Sequence, residues 1–289
     1  MTIDDSSLTP GSPDTGESAQ AQAQAAATTR AADTTLPQDL RAPWGWLDLL
    51  LFGVLGLASS VLLTRALVRV FAIFGMAAAQ IKASPSALGL FSVIHQALLF
   101  IIVLGYLIAH VRVNFRAPFW RTIGWRALEP GQVPRTLRYL GFIVGGFMLA
   151  LLVELVSIRF GTKAKLPVQV LFQDRRTALL LMLMAVLVAP VIEETIFRGY
   201  IYPVVARSYG VTVGVLGTGI LFGLLHAPQL WGGWVQISML VLVGIIFTYA
   251  RAATKTVLAS YLLHLSYNFF ISFAVVIITQ WLRLLSPRH

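Results

Sequence analysis

The chain of 289 residues has no cysteine. That excludes a disulfide framework, the Cys-based zinc motifs and a thiol nucleophile. Charge is scarce too: 12% of residues are charged, about half the share of a soluble domain, against 57% hydrophobic and a mean hydropathy of +0.78. An ordinary soluble enzyme, a disordered chain and a collagen-like chain are therefore excluded. Acids are scarcest, twelve in all. Six of these lie in residues 1–42, which carry a net charge of −4 and leave +14 on the rest. Most cations sit in loops or at the ends of apolar runs, where they read as topology signals and anionic-lipid contacts rather than a nucleic-acid surface.

Residues 1–42 are rich in Ala, Thr, Ser, Asp and Gln, with no apolar periodicity. Such a segment is expected to be a disordered tail, and without an apolar stretch near Met1 it does not read as a cleavable signal peptide. Seven long apolar segments follow, at about 46–73, 88–110, 139–158, 177–203, 211–228, 235–250 and 256–283. A span needs roughly 20 apolar residues, so residues 43–285 are expected to form an all-α polytopic membrane protein of about seven helices. Eight remain open, because the first and last segments are long enough to tilt or break. The loop at 111–138 carries six arginines against Glu129. The positive-inside rule makes it cytoplasmic, and the N-terminus with it, although the basic loop at 159–176 then faces outward.

Three clusters do not belong in lipid, where a mid-helix charge costs roughly 2.5–3.5 kcal/mol. The first is Pro190-Val191-Ile192-Glu193-Glu194-Thr195-Ile196-Phe197-Arg198-Gly199. Glu194 and Arg198 stand one helical turn apart and can neutralise each other. Glu193 points away from that face with no cation on its own helix, which suits a general base. Pro190 is expected to kink the helix just before the pair. The second cluster is Phe222-Gly223-Leu224-Leu225-His226, where Gly219, Gly223 and His226 share one face. The third is His264-Leu265-Ser266-Tyr267-Asn268, in which His264 and Asn268 can aim two donors at one point. Taken singly, these histidines read as core or interhelical hydrogen bonds. Together the clusters make a water-activating hydrolase, or a zinc site of Glu193, His226 and His264, although H-E-x-x-H is absent. With spans ending near 203 and 228, Glu193 and His264 lie at similar depth while His226 falls toward the opposite surface. Gly141-x-x-x-Gly145 reads as a close helix contact, and His95 and Glu154 as packing or pore-facing residues.

The ordered trio Glu-Glu-x-x-x-Arg, Phe-x-x-x-His and His-x-x-x-Asn resembles the CPBP family of CAAX proteases and bacteriocin-processing enzymes, also called Abi. The likeness covers roughly 177–285 and outweighs the depth mismatch. It implies an intramembrane endopeptidase with its site among the motif helices. Glu193 would be the base and His226 would help to hold the water. His264 and Asn268 would stabilise the oxyanion, with Glu194, Arg198 and Phe222 in support. No cofactor is implied, with zinc the alternative, and the partners are membrane lipid and a peptide or protein substrate. The count of 18 Arg to 4 Lys points to a GC-rich bacterial genome, hence a bacterial cytoplasmic membrane. Two other readings stand beside it: a catalytically idle scaffold or bacteriocin-immunity protein, and a proton-coupled transporter using Glu154, Glu193, Glu194 and the histidines. The transporter reading predicts internal repeats, which the sequence does not display. Removing residues 1–40 is expected to leave yield and thermal stability at full-length values; a collapse in yield would make the tail structural.

Overall fold

The computed structural model describes residues 36–162 and 166–285, with side chains through 274. The expected tail at 1–42 lies mostly outside the described residues. Every described element is helical or a turn, as apolar segments that satisfy their backbone polar groups internally must be in lipid. Seven apolar helices coincide with the seven segments. They are α1 (Trp46–Ile73), α2 (Pro85–Ala109), α3 (Arg135–Phe160), the compound helix α4 (Arg175–Tyr209), α5 (Val211–Leu225), α6 (Trp234–Thr254) and α7 (Val257–Leu285). All except the 15-residue α5 are long and apolar enough to cross a membrane.

Capping chemistry fixes two of the starts. Asp48 accepts the Gly45 N–H at 2.6 Å at the head of α1. Asp174 accepts the Thr177 N–H at 2.9 Å at the head of α4, and that bond holds its carboxyl below the ordinary Asp range. At the other end α4 runs to Tyr209, six residues beyond the expected boundary, because the loss of apolar character near Arg207 marks the edge of the lipid rather than the end of the helix. Gly210 then turns the chain at φ +89°, a conformation that favours glycine.

Contacts between loops sort the connections by face. The Val257 N–H bonds the Gly124 carbonyl, and Thr256 Oγ1 bonds the Arg126 carbonyl, so the Arg-rich loop and the α6–α7 turn share one side. Arg207 donates to the carbonyls of Ala42 and Trp44, and the Trp44 ring stacks on Tyr200 at 4.9 Å. These contacts fix the α1 entry against the final turns of α4.

Helices α5 and α6 pair closely, and glycine permits it. A Cβ at Gly219 would stand 2.5 Å from the Ile245 nitrogen, and one at Gly244 would stand 2.5 Å from the Gly219 carbonyl oxygen. The expected Gly141/Gly145 contact holds at Gly145, where a Cβ would stand 3.2 Å from Leu263 Cδ2 of α7, but not at Gly141. Gly141 faces open space, while Gly146 lies directly against the Leu263 backbone and Ser266 of α7. Gly219→Val should therefore lower unfolding stability by about 1–3 kcal/mol, the usual cost of overpacking. Gly141→Ala should leave the melting temperature at the wild-type value, and equal losses in both variants would contradict this packing.

Candidate active site

The motif residues meet because two prolines shape α4. Each follows a wide, π-type turn: Met184–Val188 precedes Pro190, and Thr195–Ile201 precedes Pro203. Proline has no N–H and clashes with the carbonyl four residues back, and the widened turn relieves that clash. The expected kink at Pro190 is thus a π turn. It leaves one carbonyl short of a donor. The Ala189 N–H bonds Met184, so the five-residue partner of the Ala185 carbonyl is Pro190, which has none. Asn268 on α7 supplies the missing bond, Nδ2 to the Ala185 oxygen at 2.7 Å. One of its two amide hydrogens is therefore committed to α4.

The α4–α5 turn sets the depth. Glu193 lies seventeen residues before Gly210 and His226 sixteen after it, so two antiparallel helices bring them level. The sequence-based boundaries, which sent His226 toward the opposite surface, are corrected by the longer α4 and by α5 ending at Leu225. Glu193, Phe222, His226, His264 and Asn268 all line one cavity of about 560 Å³.

Glu194 and Arg198 lie behind that wall, both fully buried. Arg198 Nη1 donates to Glu194 Oε1 at 2.9 Å, as the one-turn spacing predicts. The guanidinium has further partners that the spacing does not reveal. Nη2 bonds the Gly244 carbonyl at 2.8 Å and Nε bonds Thr248 Oγ1 at 3.2 Å. The rings of Phe222 and Phe247 lie 4.6 and 5.5 Å from its Cζ. His264 Nδ1 completes the set, 2.9 Å from Glu194 Oε1. Since that carboxylate is already paired with Arg198, it accepts and Nδ1 carries the proton. His226 is held in the same way, its Nδ1 donating to the Phe222 carbonyl at 2.8 Å. In both rings Nε2 is left facing Glu193. His226 Nε2 is 3.9 Å from Glu193 Oε1 and His264 Nε2 is 3.7 Å from Oε2.

These separations exceed direct hydrogen bonding and suit a shared third molecule. Among the described residues no three His, Asp or Glu side chains form a metal-holding group. The cavity is also lined by Thr64, His95 and Gln96 from α1 and α2, and by Val168, Leu171 and Phe172. His95 is therefore pore-facing, one of the two expectations for it, with Nε2 3.1 Å from the Ser60 carbonyl.

Fold and cavity define a polytopic helical membrane protein with a carboxylate–imidazole site inside its bundle. Residues 175–270 match the Rce1-like family, described as type II CAAX prenyl endopeptidase Rce1-like. That segment holds all three motifs and matches the CPBP/CAAX protease family, which supports a CAAX-type intramembrane protease. No curated protein and no solved structure matches the chain. Arg198→Ala, which strands Glu194 in the core, should cost about 3–5 kcal/mol in unfolding measured in detergent. A wild-type unfolding midpoint would refute the pairing.

Proposed function

We propose that the protein hydrolyses peptide bonds within the membrane by a glutamate-activated water, with no metal taking part. The observation that carries this reading is the Glu193 carboxylate at the cavity wall, facing the Nε2 atoms of two imidazoles whose Nδ1 atoms are both tied down. A water between Glu193 and His226 gives its proton to Glu193 as its oxygen attacks the scissile carbonyl. Because Nδ1 of each ring already carries a proton, a neutral ring offers only a lone pair at Nε2. Donation from His264 to the oxyanion therefore requires a proton on Nε2 as well as the one that Glu194 holds on Nδ1. The uncommitted amide hydrogen of Asn268 is the second donor. Collapse of the tetrahedral intermediate breaks the C–N bond, and Glu193 returns its proton to the leaving nitrogen, giving a new carboxyl and a new amine.

The substrate is a peptide or protein segment that enters the cavity among the motif helices. The N-terminus is assigned to the cytoplasmic side of a bacterial membrane on the arginine content of the 111–138 loop and the Arg/Lys ratio. The test is cleavage of a diverse peptide library by purified protein, wild type beside Glu193→Gln, with and without a chelator. Glu193→Gln should lower turnover by at least about 10²–10⁴, the usual share of a general base, with unchanged thermal stability, and wild-type cleavage should survive chelation. Retained turnover would remove Glu193 as base. Loss on chelation with recovery on zinc would move Glu193, His226 and His264 to metal ligands. Silence from wild type would favour the non-catalytic scaffold.

A further inference from the structure

A second cavity of about 450 Å³ adjoins the first. The two share Leu240 and Tyr267 as lining residues, so a peptide lying along the catalytic wall has this recess beside it. Its polar lining comes from Glu154 and Ser157 on α3, Thr162 and Gln169 beyond it, and Gln236 on α6. Among the described residues no Lys, Arg or His lines it. Among the described residues Glu154 is bound by no ion pair and no hydrogen bond. Gln236 Oε1 is buried and also lacks a hydrogen-bond partner. Gln169 is already used, accepting the Leu166 N–H at 3.1 Å.

The recess therefore offers acceptors and one uncompensated negative charge within an otherwise apolar span. Such a charge in a membrane helix marks a functional site whose partner is still to be named. The complement is a cation that also donates several hydrogen bonds. A bare metal ion would demand several oxygens converging on one point, and no three acids or histidines do so among the described residues. An ammonium or guanidinium on a flexible stem fits better, because its methylenes can lie along Leu240 and Ile271 while its head reaches Glu154. We propose that this recess is the subsite for a basic side chain, Lys or Arg, of the peptide substrate, with Glu154 as its counter-ion. This rests on the protease reading above.

The test uses the full-length protein in phosphatidylcholine nanodiscs. Matched peptides carry Lys, norleucine or Glu at each position around the cleavage site. One position should show kcat/KM for Lys raised at least about tenfold over norleucine, as a desolvated charge pair provides. In Glu154→Gln that preference should vanish while the norleucine peptide is cleaved at the wild-type rate, and Glu154→Arg should favour Glu. Absence of a basic preference in wild type, or its persistence in Glu154→Gln, overturns the subsite and leaves Glu193-dependent cleavage standing. A readout independent of turnover accompanies it. Hexylammonium should raise the melting temperature of wild type more than hexanol does, and of Glu154→Gln no more than hexanol does. Equal shifts from hexylammonium in both proteins overturn the proposal even if no peptide is cleaved.

Discussion

The site is organised around one buried ion pair. Arg198 is a full charge at zero exposure in the middle of a lipid-embedded bundle, and such a charge persists only when every donor is matched. Glu194 neutralises it, the Gly244 carbonyl and Thr248 hydroxyl take further donors, and aromatic faces cover the rest. Because Glu194 is thereby fixed as a charged acceptor, it also fixes which nitrogen of His264 holds the proton. The rotation of three helices is set by this single requirement: α4 supplies Glu194 and Arg198, α6 supplies Gly244 and Thr248, and α7 supplies His264. Glu193, one residue from Glu194, is left pointing the other way, into the cavity.

Proline adds the second constraint. An unbroken α4 would satisfy its interior carbonyls and leave none for Asn268. Pro190 withholds one N–H, and the Ala185 carbonyl becomes the anchor for Asn268. The same residue that bends the helix thus creates the attachment that holds α7 beside it, close to Glu193. Tight α5–α6 contact at Gly219 and Gly244 completes the arrangement, bringing the Gly244 carbonyl within reach of Arg198.

Much of this was legible in the sequence. Apolar runs mark the seven helices, and the one-turn spacing of Glu194 and Arg198 marks their pairing, because both signals are local. What the sequence could not give depends on how separate helices are rotated and stacked. The Glu194–His264 bond joins residues 70 apart, and the backbone carbonyls of Gly244 and Ala185 leave no trace in residue type. The depth of His226 was misread because polarity reports the lipid edge, whereas α4 continues past it to Tyr209. The glycine contact on α3 was half legible: Gly145 meets Leu263 as expected, but Gly141 faces open space and Gly146 comes nearer still, since spacing identifies a face but not the line along which the neighbour touches it.

The central claim is that Glu193 and His264 act on one water and one tetrahedral intermediate. Turnover of one well-cleaved peptide by Glu193→Gln, His264→Ala and the double variant in nanodiscs tests it directly, because groups that act as a unit lose activity non-additively. The double variant is expected to be no slower than the slower single variant. Losses that multiply would show two independent contributions and contradict a shared site.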